Sequence, residues 1–151
     1  MSTLKVGTIQ NTSAAHSSTP EEIAQGRAKA WVNFNGTTVT SATDMTGVND
    51  SFNVSSVVDN GVGDYTINFS SAMSNANYVF VGNVRNIAGN SPHVSGSGPI
   101  NENRGPVSVF VHETTGTTTA ACRINSRYGS SDSNDGSDAD FTSVYCAFFG
   151  D

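Results

Sequence analysis

Four glutamates and three histidines carry most of the acid–base chemistry this chain could offer, and none of them sits in a recognisable constellation. Glu21 and Glu22 adjoin Pro20, while His16, His93 and His112 fall in three unrelated contexts. Glu102 and Glu113 are the one pair that could in principle flank a glycosidic bond as acid and base, but sequence sets neither their separation nor their protonation. Glutamates that face solvent or brace structure are far commoner. No Gly-rich phosphate loop, Cys/His metal spacing or nucleophile elbow is present, so an enzyme is not expected and no cofactor is implied. The acid-rich run "SDSNDGSDAD" offers Asp132, Asn134, Asp138 and Asp140 as hard oxygen ligands of the kind Ca²⁺ takes. The EF-hand pattern then requires glycine at its sixth position and a closing glutamate. Counted from Asp132, Gly136 comes one place early and Ser143 stands where the glutamate belongs, so a solvated loop is the better expectation and no metal is assigned.

Sugar recognition needs a different set: a flat aromatic face and a few amide or guanidinium groups. Trp31 is the lone tryptophan, yet "KAWVNFNG" reads as a strand whose aromatic packs inward, into the core or a subunit interface. Tyr128, beside Arg127 in a polar stretch, is the better candidate for an exposed ring. Two long segments, Ile87 to Pro106 and Asn125 to Asp140, crowd Gly, Ser, Asn and Asp between strands, and loops of that length are usually functional or disordered. Whatever recognition exists is therefore expected there, on His93, Asn101, Arg104, Arg127, Tyr128 and Asp135.

Strands must hold those loops. In "FNVSSVVDNGVGDYTINFSSAM", Tyr65, Ile67 and Phe69 alternate with Asp64, Thr66, Asn68 and Ser70, the pattern of a half-buried strand. Phe52, Val54 and Val58 alternate less strictly, and Asp59-Asn60-Gly61-Val62-Gly63 between the two runs tolerates the positive φ of a hairpin reversal. Further strands are expected near 29–35, 77–87, 107–113, 118–125 and 142–149. With the hairpin strands at 52–58 and 64–70, these make an all-β, antiparallel sandwich of about seven to eight strands. The last strand, "VYCAFFG", is apolar on both faces, which fits a central strand or one covered by another subunit. Ahead of the sandwich, "STLKVGTIQ" suggests a short extended segment and "NTSAAHSS" a linker. "STPEEIAQGR" then predicts a helix of at most two turns, capped by Thr19, opened by Pro20, boxed by Glu22 and stopped by Gly26. So short a helix needs a surface to dock on. The division is residues 1–28 as an N-terminal segment with the helix, and 29–151 as the β domain.

Charged residues are only 13% of the 151, and Ser, Thr, Asn and Gly dominate the polar positions, a surface suited to extracellular or particle-borne β proteins. A net charge of −6 with seven scattered basic residues argues against nucleic acid, whose phosphates need clustered Lys and Arg. No signal-peptide pattern and no run near the roughly 18 apolar residues of a membrane span occurs, so neither signal-directed secretion nor membrane insertion is expected. The Asn-x-Ser/Thr matches at Asn11, Asn35, Asn53 and Asn68 then carry no glycosylation message. Cys122 and Cys146 each lie in an apolar strand-like run, where a thiol is most often a small buried hydrophobe; a disulfide between them stays open.

"GRAKAWVNFNGT" followed by "SFNVSSVVDNGVGDYTINFSSAMSNANYVFVG" closely resembles a block recurring in tail-fibre-like structural proteins of bacteriophages, including those of cyanobacteria and other marine bacteria. "STLKVGTIQN" and "STPEEIAQGRAKAW" look like the N-terminal part of the same short fibre proteins, so the resemblance covers roughly residues 1–82. It departs from the block at Thr37 to Asp50, which is longer than the brief turn expected there. The resemblance implies a virion component, assembled in the host cytoplasm, commonly a homotrimer. Its N-terminal segment would bind other virion proteins and its distal β domain a host-surface glycan. Threefold closure would place Ile23, and with it Leu4, Val6 and Ile9, near the axis. The alternative is a capsid decoration or head-fibre protein with a purely structural role; a free-standing carbohydrate-binding module and a depolymerase rank behind it.

Overall fold

A computed structural model describes residues 5–10, 12–13, 17–85, 107–128 and 137–150. The described chain begins with a two-residue ladder, β1 (Ile9–Gln10) against β2 (Ser17–Ser18), so the stretch read as a linker folds back on the segment before it. Helix α1 (Pro20–Gln25) follows, with the expected capping box. The Glu22 amide donates to Thr19 Oγ1 at 3.2 Å, and the Thr19 amide donates to Glu22 Oε2 at 2.7 Å. Gly26 ends the helix in an ordinary right-handed conformation, and α1 buries none of its residues.

The body is an all-β antiparallel sandwich. One sheet runs β4 (Val48–Phe52), β3 (Ala30–Phe34), β11 (Ser143–Phe149), β7 (Val79–Arg85). The other runs β5 (Val54–Gly61), β6 (Asp64–Phe69), β9 (Ala121–Tyr128), with β8 (Val107–Val111) on the far edge of β9 and the two-residue β10 (Ser137–Asp138) prolonging the lane of β6. Eight longer strands therefore carry the sandwich among the described residues. Period-two alternation decides which side chains enter the core: Ala30, Val32 and Phe34 from β3, Val144, Cys146 and Phe148 from β11, and Tyr65, Ile67 and Phe69 from β6. Phe148 meets Phe69 and Tyr78 edge to face, at 5.1 and 5.9 Å between ring centroids, and Phe80 at 5.5 Å. β11 is central, flanked by β3 and β7, as its two-sided apolar character allowed.

Three expectations are corrected. On β5 the inward residue after Val54 is Val57 and not Val58, because a bulge between Val54 and Ser56 shifts the alternation by one. The long stretch before the hairpin is not all turn: Val48–Phe52 is an edge strand paired with β3, and the strand expected from Phe52 starts at Val54. The ninth strand begins at Ala121 and continues to Tyr128, later than the expected 118–125, because the Thr118 hydroxyl accepts from the Ala121 amide and keeps the preceding residues in a turn.

Asn53 separates β4 from β5 with φ 56°, the one positive φ at a non-glycine among the described residues, and there the chain crosses from one sheet to the other. Its side chain staples the corner. Nδ2 donates to the carbonyls of Lys29 (3.0 Å) and Ser71 (3.1 Å), while Oδ1 accepts from the Ser71 amide at 2.8 Å. In the hairpin itself Gly63 has φ 66°, and a Cβ there would strike the Ser126 carbonyl and the Ala139 amide. The staple predicts an order of stabilities. Asn53→Gly keeps the backbone shape but loses the three hydrogen bonds and should cost about 1–3 kcal/mol. Asn53→Ala adds roughly 1–2 kcal/mol for an L-residue held left-handed. Urea denaturation giving equal losses for the two variants would contradict the corner's role.

Candidate functional site

The inward packing of β3 and β11 leaves their alternate residues on the outer face of the four-stranded sheet. Register aligns them in rows. Phe52, Trp31, Ala147 and Val81 follow one another across β4, β3, β11 and β7, and Asp50, Asn33, Tyr145 and Asn83 form the next row. Trp31 therefore does not pack into the core as its strand pattern suggested. Ala30 and Val32 take the inward positions, and the ring stands outside with 37% of its surface exposed. Tyr145 is 39% exposed and Val81 56%. Between these side chains lies an open cleft of about 360 Å³, lined by Trp31, Asn33, Val81, Asn83, Tyr145 and Ala147 and floored by strand backbone. No lining residue is charged. A second hollow, about 410 Å³, opens where Gln25 of α1 faces Asn75, Asn77 and Phe149.

The residues expected to carry recognition fare unevenly. His93, Asn101, Arg104 and Asp135 lie outside the described residues, as does Leu4. Arg127 and Tyr128 are described and are not loop residues: both belong to β9, where Tyr128 pairs with Val107 of β8 and Ser137 of β10. Arg127 is committed to structure. Its Nε donates to Asp138 Oδ1 at 2.6 Å and its guanidinium lies 5.6 Å from the centre of the Phe110 ring. The strand register does place Val107, which closes the first long segment, beside Tyr128, which opens the second. Ser143 of β11 pairs with Arg85 of β7 at that same end.

Of the residues considered as calcium ligands, Asp132 and Asn134 lie outside the described residues, and Asp138 and Asp140 have other work. Asp138 holds Arg127, and Asp140 Oδ1 accepts from the Tyr65 hydroxyl at 2.5 Å and the Gly63 amide at 2.7 Å, tying the segment before β11 to the hairpin. Burial, then the Asp140 hydrogen bond, push the Tyr65 hydroxyl far above its ordinary pKa, so it stays a donor. Among the described residues no group of three or more His, Cys, Asp or Glu is disposed to hold a metal ion. Cys122 and Cys146 are free, buried thiols on opposite sheets; burial pushes Cys122 up to about 11 and Cys146 well above its usual range, which leaves both protonated and unreactive. Val6, Ile9 and Ile23 are exposed.

No family model, curated protein or solved structure matches the chain. Its site must be read from its own geometry. The outer-face cleft was not found from the sequence because its aromatic, Trp31, was read as a core or subunit-interface residue, and of these the core position is taken by Ala30, Val32 and Phe34. The available signal was the strict alternation Ala30, Val32, Phe34, which forces Trp31 outward once those three are taken as core.

One ion pair tests the electrostatics of the sheet behind the cleft. Arg123 Nε donates to Asp64 Oδ1 at 2.8 Å and Nη2 to Oδ2 at 2.5 Å, across β6 and β9. That hydrogen-bonded guanidinium holds the Asp64 carboxyl below its ordinary value of 3.8, against the upward push of burial. A folded pKa below the unfolded one means stability that is present above the unfolded pKa and lost as pH falls through the folded one. Asp64→Asn should therefore cost about 1 kcal/mol at neutral pH and progressively less as pH drops below about 4. Thermal melts showing a gap that widens at low pH would refute the assignment.

Proposed function

We propose that this chain is a virion structural protein of the tail-fibre type, homotrimeric, with residues 1–28 attaching it to the particle and the β domain contributing to contact with a host-surface glycan. The observation that carries this is the state of the N-terminal segment. Val6, Ile9 and Ile23 are exposed, α1 buries nothing, and a six-residue helix is far shorter than the ~12–15 residues at which isolated helices become even marginal. A segment of that kind gains its cover from other chains. The likeness of its wording, and of "GRAKAWVNFNGT" after it, to short phage fibre proteins gives those chains their identity: further copies and other virion components. Three identical β domains then present weak contacts that sum into avidity.

Light scattering should return about three times the 15.7 kDa chain mass at micromolar concentration, and a monomer would contradict the trimer. Deleting residues 1–28 should leave a β-rich domain by circular dichroism and abolish incorporation into particles. Normal incorporation of the truncated chain would overturn the attachment role. Strong binding to empty capsids without any effect on adsorption would favour a decoration protein instead.

A further inference from the structure

We infer that the outer face of the four-stranded sheet is the surface through which three copies of this chain meet, turned toward a threefold axis; this deepens the homotrimer reading, on which it rests, by naming the contact. The two outer faces of the sandwich differ in kind. On β6 and β9 the outward residues include Asp64, Thr66, Asn68, Arg123 and Asn125, a surface made for water. The four-stranded sheet shows the reverse. Among the described residues of the β domain eight large hydrophobic side chains are exposed, and five of them, Phe52, Trp31, Val79, Val81 and Tyr145, stand on this one face. Contiguous exposed apolar residues of this kind mark a contact site. Aromatic side chains and arginine are also the types that interfaces between proteins concentrate.

Charge identifies the occupant. Within the four strands the outward charges are Asp50, on the edge strand β4, and Arg85, on the opposite edge strand β7, and neither has an ion-pair partner among the described residues. A head-to-tail ring brings the β4 edge of one copy to the β7 edge of the next, so each junction joins an acid to a base. The register agrees. Phe52 and Val81 end one row and Asp50 and Asn83 the next, with Arg85 two residues beyond Asn83, about 7 Å along the strand and within reach of its long side chain. One junction therefore sets Phe52 beside the next copy's Val81 and Asp50 near its Arg85 at once. The apolar end of the face is also continuous with the N-terminal segment that the fibre reading gives to other copies: outward Val79 and Phe149 line the hollow beside Gln25 of α1, whose Ile23 is exposed. With a net charge of −6 two copies repel over most of their surface, whereas the strands of this face carry one charge of each sign.

The test uses the full chain and light scattering at micromolar concentration. The parent should return about three times 15.7 kDa, and Val81→Arg, at an exposed position of the face, should return about 15.7 kDa while keeping the parent's circular dichroism spectrum. Asp50→Arg and Arg85→Asp should each weaken assembly about 10-fold or more, and the two together should restore it to within about 3-fold of the parent. The charge exchange serves if Val81→Arg does not fold. A parent trimer that stays trimeric in Val81→Arg overturns the inference, as does a double variant that assembles no more tightly than the single ones. A trimer left whole by Val81→Arg but unable to adsorb to host cells also overturns it, and gives the face to a host-surface ligand. A parent of any other mass overturns the threefold placement. The two readings fail separately. If Val81→Arg remains a trimer and enters particles, the inference falls and the fibre reading stands. If the chain is missing from particles yet Val81→Arg splits its trimer and the double charge exchange rebuilds the contact, the fibre reading falls and the inference stands.

Discussion

Phe148 fixes the register on which the rest of the molecule depends. Fully buried between the sheets with Phe69, Tyr78 and Phe80 around it, this ring cannot move to the other face of β11 without opening a cavity; truncating such a residue typically costs about 3–5 kcal/mol. A slip of one residue would carry Cys146 and Val144 out with it. Because β11 pairs with β3 on one side and β7 on the other, its register is theirs as well: Phe148 opposite Ala30 and Phe80 sets Ala147 opposite Trp31 and Val81. The outer rows are thus a by-product of the inner ones. Core packing, rather than any local preference of the tryptophan, decides that Trp31 and Tyr145 stand on the same exposed surface.

The two ends of the sandwich are tied by polar groups that the core cannot supply. At one end Asn53 turns the chain between sheets and engages Lys29 and Ser71. At the other, Asp140 links the Tyr65 hydroxyl and the Gly63 amide, and Gly36 passes so close to Tyr65 and the Phe141 carbonyl that a side chain there would collide with both. No buried side-chain donor or acceptor is left without a partner among the described residues.

The sequence made the architecture legible where its period was clean. Tyr65, Ile67 and Phe69 enter the core as their alternation demands, the glycines of the hairpin turn have the positive φ expected of them, and the Thr19–Glu22 capping box forms with both bonds. It was silent where one residue changes the count. Nothing in "FNVSSVV" announces the bulge that makes Val57 inward in place of Val58, and Asn53, noted at first for a glycosylation pattern, is the left-handed corner that makes Val48–Phe52 a strand of its own. The site was hidden for a related reason. Loop length drew attention to Arg127 and Tyr128, which are strand residues, with Arg127 already bonded to Asp138, whereas the outer-face cleft assembles from β3, β7 and β11, far apart in sequence and joined only by register.

That register can be tested without any ligand, since Trp31 is the single tryptophan of the chain. Steady-state fluorescence with acrylamide quenching on the folded chain, kept monomeric by Val81→Arg, reads the environment of this one ring. An outward, part-exposed Trp31 predicts emission red-shifted from that of a buried indole and ready quenching by acrylamide in the folded state. Blue-shifted emission, shielded from acrylamide until the protein unfolds, would mean that the ring is buried within its own chain, and would contradict both the assigned face of β3 and the contact built on it.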